Sequence, residues 1–390
     1  MKSYNGLFER MLDYDTIKKC FLDASKNKRN RKDVAKVLNS LDKNVIKLRK
    51  ILKNQTFRPL PHDSSYVNEH NCHKIRKIVK PYYKYEQVVH HCIVNQLKPV
   101  IMTGFYEFSC GSIPGRGVHY GKKYIEKWIK SYGDDDFYVF KGDIHHYFEN
   151  ISLELLKEKL ARVIRDKKFL ELVYVIIDSH KDGLPLGYYT SQWFANFYLK
   201  DFDHFVKEEL KVEHYMRYMD DLVIMDHDKE KLHMVYERMQ MYLIEFLGVE
   251  LKGNWQIFLF DTGHRTGRIL DFMGFKFYRN RTTIRKSIIC RARRKVYRTS
   301  KKPIEKVNWH DATAILSYLG WFRHTNTYSY YEKYIKTRVE VKVLKKKISN
   351  HSRKENRQKN EKLLESCKRN ARGSTCRSRR NLKPKCCVSA

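Results

Sequence analysis

The order of hydrophobic and polar positions predicts helices at the start of the chain. Apolar residues recur at helical spacing before residue 60, for example at Val45, Leu48 and Leu52. The basic run KNKRNRK (26–32) interrupts this pattern and, taken alone, is typical of a solvated link. A proline-punctuated connector follows at 57–66. Residues 1–60 are therefore predicted to form a helical N-terminal extension.

The period of the pattern then shortens, which indicates strands. The stretch HKIRKIVKPYY (73–83) is β-branched and typical of part of a strand pair. Between 137 and 280 strand-like and helix-like segments alternate, which favours an α+β fold over a helical bundle. Within this region FYVFKGDI has the pattern of a buried strand ending at Asp143, and the apolar runs YMRYM and LVIM flank Asp220 and Asp221.

The net charge of the chain indicates the class of partner that it binds. Lys and Arg total 79 against 44 Asp and Glu, which gives a formal net charge of +35 and a pI near 9.7. Such a balance favours a polyanionic partner, above all nucleic acid. On charge alone, a ribosome-associated or simply soluble basic protein is the alternative.

The end of the chain is the most basic part. The last sixty residues hold 20 basic and 5 acidic residues, and large apolar side chains become rare from about residue 350. We therefore expect 341–390 to be a basic, disordered tail that binds structured RNA or an acidic partner through charge. A solvated tail without a defined partner is the alternative.

Cysteine usage and hydropathy bear on location. The nine cysteines contain no CxxC pair, the opening MKSYNGLFER lacks a signal-peptide core, and no apolar run approaches a membrane span. The expectation is a cytoplasmic protein with reduced thiols and no membrane partner. The cysteines between 367 and 387 could alternatively bind zinc.

Three carboxylates carry the candidate chemistry. Asp220 and Asp221 are adjacent between apolar strands, so their repulsion must be relieved by a cation or by protonation. Asp143, at the end of a buried strand, is a poor choice for stability and a good one for a metal ligand. Together they predict a cage for two Mg²⁺ ions, roughly 3.5–4 Å apart, with Mn²⁺ as a substitute. For Asp220-Asp221 alone, a solvent-facing hairpin turn is the alternative.

These residues lie in blocks that resemble reverse transcriptases. Tyr218-Met219-Asp220-Asp221 matches the YxDD signature of that family, and KGDIHHYFENI is similar to its first catalytic block. Further similar blocks follow the family's order: HKIRKIVKPYY, SCGSIPGRGVHYG, LPLGYYTSQWFANFYL, FLGVELKGNWQIF, ILDFMGFKFY and SYLGWFRHTNTY.

The resemblance implies a right-hand polymerase with fingers, palm and a helical thumb. It assigns 61–280 to fingers and palm and 281–340 to the thumb. The implied activity is RNA-directed DNA synthesis from dNTPs on a template RNA, with extension of a cDNA or primer end.

The resemblance also assigns roles to single residues. Metal binding falls to Asp143, Asp220, Asp221 and the backbone carbonyl of Ile144, and Lys252 matches the palm lysine proposed as a general acid. Arginines suit phosphate oxygens, and the incoming nucleotide is expected to meet Arg76, Arg116, Leu186, Gly187 and the steric-gate aromatic Phe148. Contacts to template and primer are expected from Ser191, Gln192, Tyr218, Met219, Met273 and Gly274. Alternatives are general template-backbone contacts for the arginines, a core role for Phe148 and a solvated position for Lys252.

The segment LPLGYYTSQ (184–192) points to a subgroup. Most family members carry Gln-Gly and end Ser-Pro here, whereas this chain has Leu186-Gly187 and Ser191-Gln192. An apolar side chain in place of a hydrogen-bonding one should weaken discrimination between nucleotides. This form resembles the error-prone enzymes of diversity-generating retroelements, whose partners include a small helical accessory protein. A reverse transcriptase of phage defence, or an inactive RNA-binding protein with the same fold, are the alternatives.

Overall fold

The computed structural model describes residues 4–62, 64–69, 74–264 and 266–353. The chain divides into two compact units, Met1–Asn280 and Arg281–Ala390. Positions 354–390, on which most of the predicted basic tail and its cysteines fall, lie outside the described residues.

The first unit combines helices with two sheets and a short hairpin. Its helices are α1 Leu7–Met11, α2 Tyr14–Ala24, α3 Lys32–Asn39, α4 Leu41–Lys53, α5 Val88–Met102, α6 Val118–Ser131, α7 Tyr147–Asn150, α8 Leu153–Val163, α9 Lys167–Ile177, α10 Tyr189–Tyr198, α11 Lys200–His204 and α12 Lys229–Leu247. Its strands are β1 Ser64–Glu69, β2 Lys74–Val79, β3 Ser109–Cys110, β4 Tyr138–Asp143, β5 His214–Tyr218, β6 Asp221–Asp226, β7 Gln256–Leu259, β8 Leu270–Phe272 and β9 Phe275–Phe277.

The N-terminal helices share the core of the first unit. α2 begins at a capping residue, Asp13, whose carboxylate accepts the Thr16 amide at 2.8 Å, and it buries Ile17 and Phe21. Asp166, which caps α9, also accepts the backbone amide of Phe8 at 2.9 Å. The residues predicted as a helical extension are therefore helical and are built into the larger unit.

The strands β1 and β2 form an antiparallel hairpin, in agreement with the predicted strand pair. Tyr66 pairs with Lys77, and Val67 pairs with Arg76. Because side chains alternate between the faces of a strand, Arg76 and Lys77 point to opposite sides of the hairpin. The β2 end of this hairpin leads to α5 through Tyr83–Gln87, a kinked segment in which Tyr85 has φ 72°.

A five-stranded sheet in the order β3-β5-β6-β4-β7 forms the centre of the first unit. Only β3 and β5 are parallel; the other neighbouring pairs are antiparallel. The apolar run Leu222–Met225 of β6 is fully buried, as an internal strand requires. α12 packs on this sheet; it starts at the cap Asp228 and ends at Gly248 in the left-handed conformation. The predicted α+β fold is confirmed.

The second unit has a helical core of its own. It contains β10 Thr282–Ile284, α13 Lys286–Ser300, α14 Trp309–Arg323, α15 Tyr328–Tyr331 and a last helix, α16, at residues 341–353. Leu344 is buried with Ile288, Ile315 and Leu319. Residues 341–353 were expected in a disordered tail, and that expectation is corrected, because Leu344 supplies an apolar anchor that holds α16 on this core. Within the described residues, no helix combines the length and apolarity needed to cross a bilayer.

Candidate active site

The hairpin between β5 and β6 presents the adjacent carboxylates. Tyr218 pairs with Asp221, so the turn consists of Met219 and Asp220. The turn therefore lies one residue earlier than the predicted Asp220-Asp221 position, and Asp221 is the first residue of β6. Met219 has φ 58°, a left-handed conformation that is strained for a side chain of this kind. Such strain is concentrated at functional sites.

The third carboxylate comes from the neighbouring strand. β4 runs antiparallel to β6 and places Asp143 directly opposite Asp221, so both side chains lie on one face of the sheet. The amide of Ile144 donates to the carbonyl of Asp220 at 3.1 Å, which fixes the turn against the end of β4. All three predicted aspartates are thus brought together, and each remains partly open to solvent.

The electrostatics of this cluster favour a cation. Burial, followed by the charges of Asp143 and Asp220, raises the pKa of Asp221 to about 7. Burial and then the charge of Asp143 also raise the pKa of Asp220. Lys252 forms an ion pair with Oδ2 of Asp143, and its backbone amide donates to the Asp143 carbonyl at 2.8 Å. The structure thus places the predicted palm lysine at the carboxylates.

The oxygen Oδ1 of Asp143 fits a metal ligand. It is buried, and no hydrogen-bond donor reaches it from the described part of the chain. A buried carboxylate oxygen without a donor is destabilising unless a cation or proton compensates it. Within the described ranges, no group of three or more His, Cys, Asp or Glu side chains is already arranged as a metal cage. The donor set nevertheless fits hard divalent cations, which prefer carboxylate and carbonyl oxygens.

A buried ion pair lies directly behind the turn formed by Met219 and Asp220. Arg217, on β5, and Asp203, near the end of α11, are each 1% exposed. Arg217 donates from Nε to Oδ1 of Asp203 at 2.7 Å and from Nη2 to Oδ2 at 2.6 Å. The hydroxyls of Tyr215 and Ser109 also donate to this carboxylate, at 2.7 and 2.5 Å. The buried charges are therefore paired and fully hydrogen-bonded.

This ion pair holds the turn through a backbone contact. Nη1 of Arg217 donates to the carbonyl of Met219 at 2.9 Å and to Oδ1 of Asn196 at 3.2 Å. Asn196, on α10, donates in turn to the carbonyl of Gly111 at 3.1 Å and lies 3.4 Å from the Met219 sulfur. Met219, the strained residue of the turn, is thus held at its carbonyl by Arg217 and at its sulfur by Asn196.

Sequence reasoning missed Asp203, Asn196 and Arg217. The available signal was Arg217 itself, a charged residue inside the apolar run YMRYM where a strand is buried on both faces. Its partners could not be read from the sequence, since they come from separate elements.

The segment 184–192 lies against the β1–β2 hairpin. The carbonyl of Leu186 accepts the amide of Val79 at 2.8 Å. Gly187 has φ 111°, and a Cβ there would lie 2.1 Å from the Val79 carbonyl oxygen. Only glycine permits this approach. Leu186 and Gly187 are thereby placed next to β2, which carries Arg76.

Two of the predicted contact residues make hydrogen bonds within the protein, and the nucleotide contact of Arg116 stays a prediction. Ser191 is 2% exposed and donates its hydroxyl to the Pro185 carbonyl at 2.8 Å, so it closes the loop instead of facing a template. Arg116 is half-buried, and its Nη1 donates to the Tyr106 carbonyl at 2.7 Å, which holds its own glycine-rich loop. Gln192, next to Ser191, is exposed.

The hairpin β8–β9 differs from the prediction in the position of the Met273 side chain. Met273 and Gly274 form its two-residue turn, both with positive φ, as in a type I′ turn. Met273 was expected to press on a primer, but it is 8% exposed and packs against Gly121, where a Cβ would lie 2.6 Å from its sulfur. The inward packing of Met273 leaves Gly274 as the residue of this turn for which a primer contact is still predicted.

Phe148 lies on α7, five residues after Asp143, and is half-buried against Tyr147. Its carbonyl accepts the Leu184 amide at 2.7 Å, which connects the first catalytic block to the 184–192 segment. The steric-gate role of Phe148 stays a prediction, as do the primer contacts of Tyr218 and Met219, both of which are half-buried.

A mainly antiparallel sheet flanked by helices, with three aspartates gathered at one turn, is the architecture of a polymerase palm. Residues 63–274, more than half of the chain, match the family described as reverse transcriptase (RNA-dependent DNA polymerase). The chain belongs to the reverse transcriptase family.

Individual relatives are more distant. Protein YkfC from Escherichia coli (strain K12) is 26% identical over 172 residues, which cover 41% of this chain and 45% of YkfC. Among solved structures, the truncated apo telomerase of Candida tropicalis is 14% identical, with a TM-score of 0.41, over 60% of this chain and 58% of its own. The Candida albicans telomerase with a TWJ fragment of telomeric RNA is 12% identical, with a TM-score of 0.43, over 61% and 46%. The chain thus spans about half the length of these relatives.

Proposed function

We propose that this chain is an RNA-directed DNA polymerase that extends a primer with dNTPs on a template RNA. The observation that carries the proposal is the convergence of Asp143, Asp220 and Asp221 at one turn. The pKa values of Asp220 and Asp221 are raised, and Oδ1 of Asp143 is buried without a hydrogen-bond donor from the described residues. A protein that only bound RNA would gain nothing from these repelling carboxylates.

The same residues suit two Mg²⁺ ions, for which Mn²⁺ is a substitute. Asp143, Asp220, Asp221 and the backbone carbonyl of Ile144 would hold them. When bound, such ions lower the pKa of a primer 3′-hydroxyl and neutralise the charge of the triphosphate. Lys252, whose Nζ is paired with Asp143, would donate a proton to the leaving pyrophosphate.

Other side chains position the reactants. Arg76 would contact the triphosphate, and Phe148 would exclude a 2′-hydroxyl and so select dNTPs. Tyr218 at the end of β5 and Met219 in the turn would support the primer end, and the buried pair Arg217–Asp203 keeps that turn in place.

The test is primer extension by the purified full chain on a defined RNA template with Mg²⁺ and four dNTPs. DNA product that disappears on replacing Asp220 and Asp221 by Ala supports the proposal. If the doubly substituted protein makes as much product, the carboxylate site is not the polymerase site. If the substitutions leave the biological role intact, the chain acts as an RNA-binding protein.

We further propose error-prone copying within a diversity-generating retroelement, in the cytoplasm, with a small helical accessory protein as partner. The supporting observation is Leu186, an apolar residue beside β2 at the loop expected to face the nascent base pair.

Leu186→Gln restores a hydrogen-bonding side chain and should lower misincorporation opposite template adenine by about tenfold, since one such contact is worth about 1–2 kcal/mol. Sequencing of the cDNA measures the error rate, and Leu186→Met, which keeps the side chain apolar, is the matched control. An error rate unchanged by Leu186→Gln contradicts this part of the proposal and favours a defence enzyme.

A further inference from the structure

A cleft of about 240 Å³ opens beside the 184–192 segment. Its walls come from the turn between α2 and α3, from α5 and from the start of α10. The residues that matter here are Lys28, Gln87, His91, Gly187, Tyr189 and Gln192. The cleft therefore joins two sequence features, the basic run 26–32 and the LPLGYYTSQ segment, that are far apart in the chain.

The aromatic wall of the cleft is formed by Tyr189 and His91. Tyr189 is 40% exposed and stacks on His91, with ring centroids 4.3 Å apart and planes at 15°. The preceding residue, Tyr188, is fixed by a hydrogen bond to His62 at 3.2 Å and by the ring of His90 at 4.5 Å. Burial lowers the pKa of His91 to about 4, so this stacked pair is uncharged at neutral pH.

The polar wall carries one amide and one cation. Gln192 is exposed and lies three residues after Tyr189, on the same face of α10. Lys28 donates to Oε1 of Gln87 at 2.8 Å, and Gln87 is itself held by the Pro81 carbonyl at 2.7 Å. Gln87 thus positions the ammonium group of Lys28 at the edge of the cleft.

The cleft lies close to the catalytic turn. Tyr189 and Asn196 are seven residues apart on α10, which is about 10 Å at 1.5 Å per residue. Asn196 in turn contacts Met219. At about 3.4 Å for each stacked base step, the separation corresponds to about three nucleotides.

We propose that this cleft binds an unpaired base of the template RNA, one to three nucleotides ahead of the copied position. The inference rests on the proposed polymerase function and adds a site to it. The base stacks on the Tyr189–His91 pair, the Gln192 amide meets its polar edge, and Lys28 meets a flanking phosphate.

The test compares base and phosphate contributions. Primer–template duplexes with 5′ RNA overhangs of zero to four nucleotides are titrated with the protein, without Mg²⁺ or dNTPs, and anisotropy gives Kd. Each overhang nucleotide is replaced singly by an abasic one, which keeps the phosphate and removes the base. We expect about tenfold weaker binding for an abasic nucleotide at one of the first three positions.

The variants separate this cleft from other surfaces. Tyr189→Ala should abolish the difference between base and abasic templates, and Gln192→Ala should reduce it. Phe246→Ala, which removes an exposed aromatic ring from α12, should keep it. Lys28→Gln should lower the slope of log Kd against log salt by about 0.7 and leave the base effect in place.

Two failures are distinguishable. If the wild-type protein binds duplexes with no base effect at any overhang position, or if both Tyr189→Ala and Gln192→Ala retain that effect, the cleft proposal is wrong and the polymerase proposal stands. If the wild-type protein binds no primer–template duplex, the cleft proposal falls together with the function on which it rests.

Discussion

Replacing Arg217 by Met tests whether the buried ion pair positions the catalytic turn. The substitution removes both guanidinium donors to Asp203 and the donor to the Met219 carbonyl. The Asp203 carboxylate, which is 1% exposed, then keeps only the hydroxyls of Tyr215 and Ser109 as donors. Breaking a buried pair from one side costs about 3–5 kcal/mol, because the remaining charge is uncompensated. Arg217→Met should therefore lower the free energy of unfolding by about that amount.

A second substitution separates stability from positioning. Asp203→Asn added to Arg217→Met removes the uncompensated charge, so most of the lost stability should return. The clamp on the Met219 carbonyl remains absent, and the rate of single-nucleotide incorporation should stay at least about tenfold below wild type.

Unfolding in denaturant measures the free energy of unfolding, provided that its dependence on denaturant concentration has the same slope in each variant. Rapid-quench kinetics measure the rate of single-nucleotide incorporation. Arg217→Lys provides the conservative comparison, since it keeps the charge and loses the two-pronged contact. The reasoning is refuted if Arg217→Met destabilises the protein by less than about 1 kcal/mol. It is equally refuted if the double variant incorporates nucleotides at the wild-type rate.

Two further predictions concern the neighbourhood of the 184–192 segment. Gly187→Ala should destabilise the protein by at least about 2 kcal/mol and displace the loop, because its φ is 111° and a Cβ would meet the Val79 carbonyl at 2.1 Å. Gly253→Ala, where nothing lies within 4 Å, should change the free energy of unfolding by less than about 0.5 kcal/mol, and equal effects of the two would contradict the prediction. Burial, followed by neighbouring histidine charges, lowers the pKa of His90 to about 3, so the folded state keeps it neutral while the unfolded chain protonates it below about pH 6.5. The free energy of unfolding should therefore fall by about 2 kcal/mol between pH 7 and pH 5. Denaturant titrations at the two pH values should show a smaller fall in His90→Gln. An identical pH dependence in that variant would contradict the assignment to His90.

The catalytic strands could be predicted because their signals are local. A buried strand is visible in the apolar run before Asp143, and the strand pair is visible in the runs around Asp220 and Asp221. Their convergence was predicted from chemistry, because adjacent carboxylates need a cation or protonation to relieve their repulsion, and a further carboxylate is a suitable ligand for such a cation.

The supporting contacts could not be predicted because they depend on tertiary packing. Asp203 and Asn196 reach Arg217 from separate helices, and no spacing rule connects them. Ser191 and Met273 stand in segments with a family resemblance, yet which way each side chain points is set by neighbours such as Pro185 and Gly121.

The end of the chain shows the same limit. Helix α16 lies at the start of the predicted tail, and its apolar residues Val341, Leu344 and Ile348 pack on the core of the second unit. The average composition of a segment does not show which of its residues anchor it to a core, so composition could not locate the start of the tail.

The most direct test of the central claim is single-nucleotide incorporation on an RNA template by Asp143→Asn. This variant keeps the shape of the side chain and removes one of the three converging charges, and Asp134→Asn on the exposed surface is the matched control. We predict that Asp143→Asn lowers the incorporation rate at saturating Mg²⁺ by at least about a hundredfold, while Asp134→Asn stays at the wild-type rate. An Asp143→Asn protein that incorporates nucleotides as fast as wild type would show that polymerisation does not occur at this carboxylate turn.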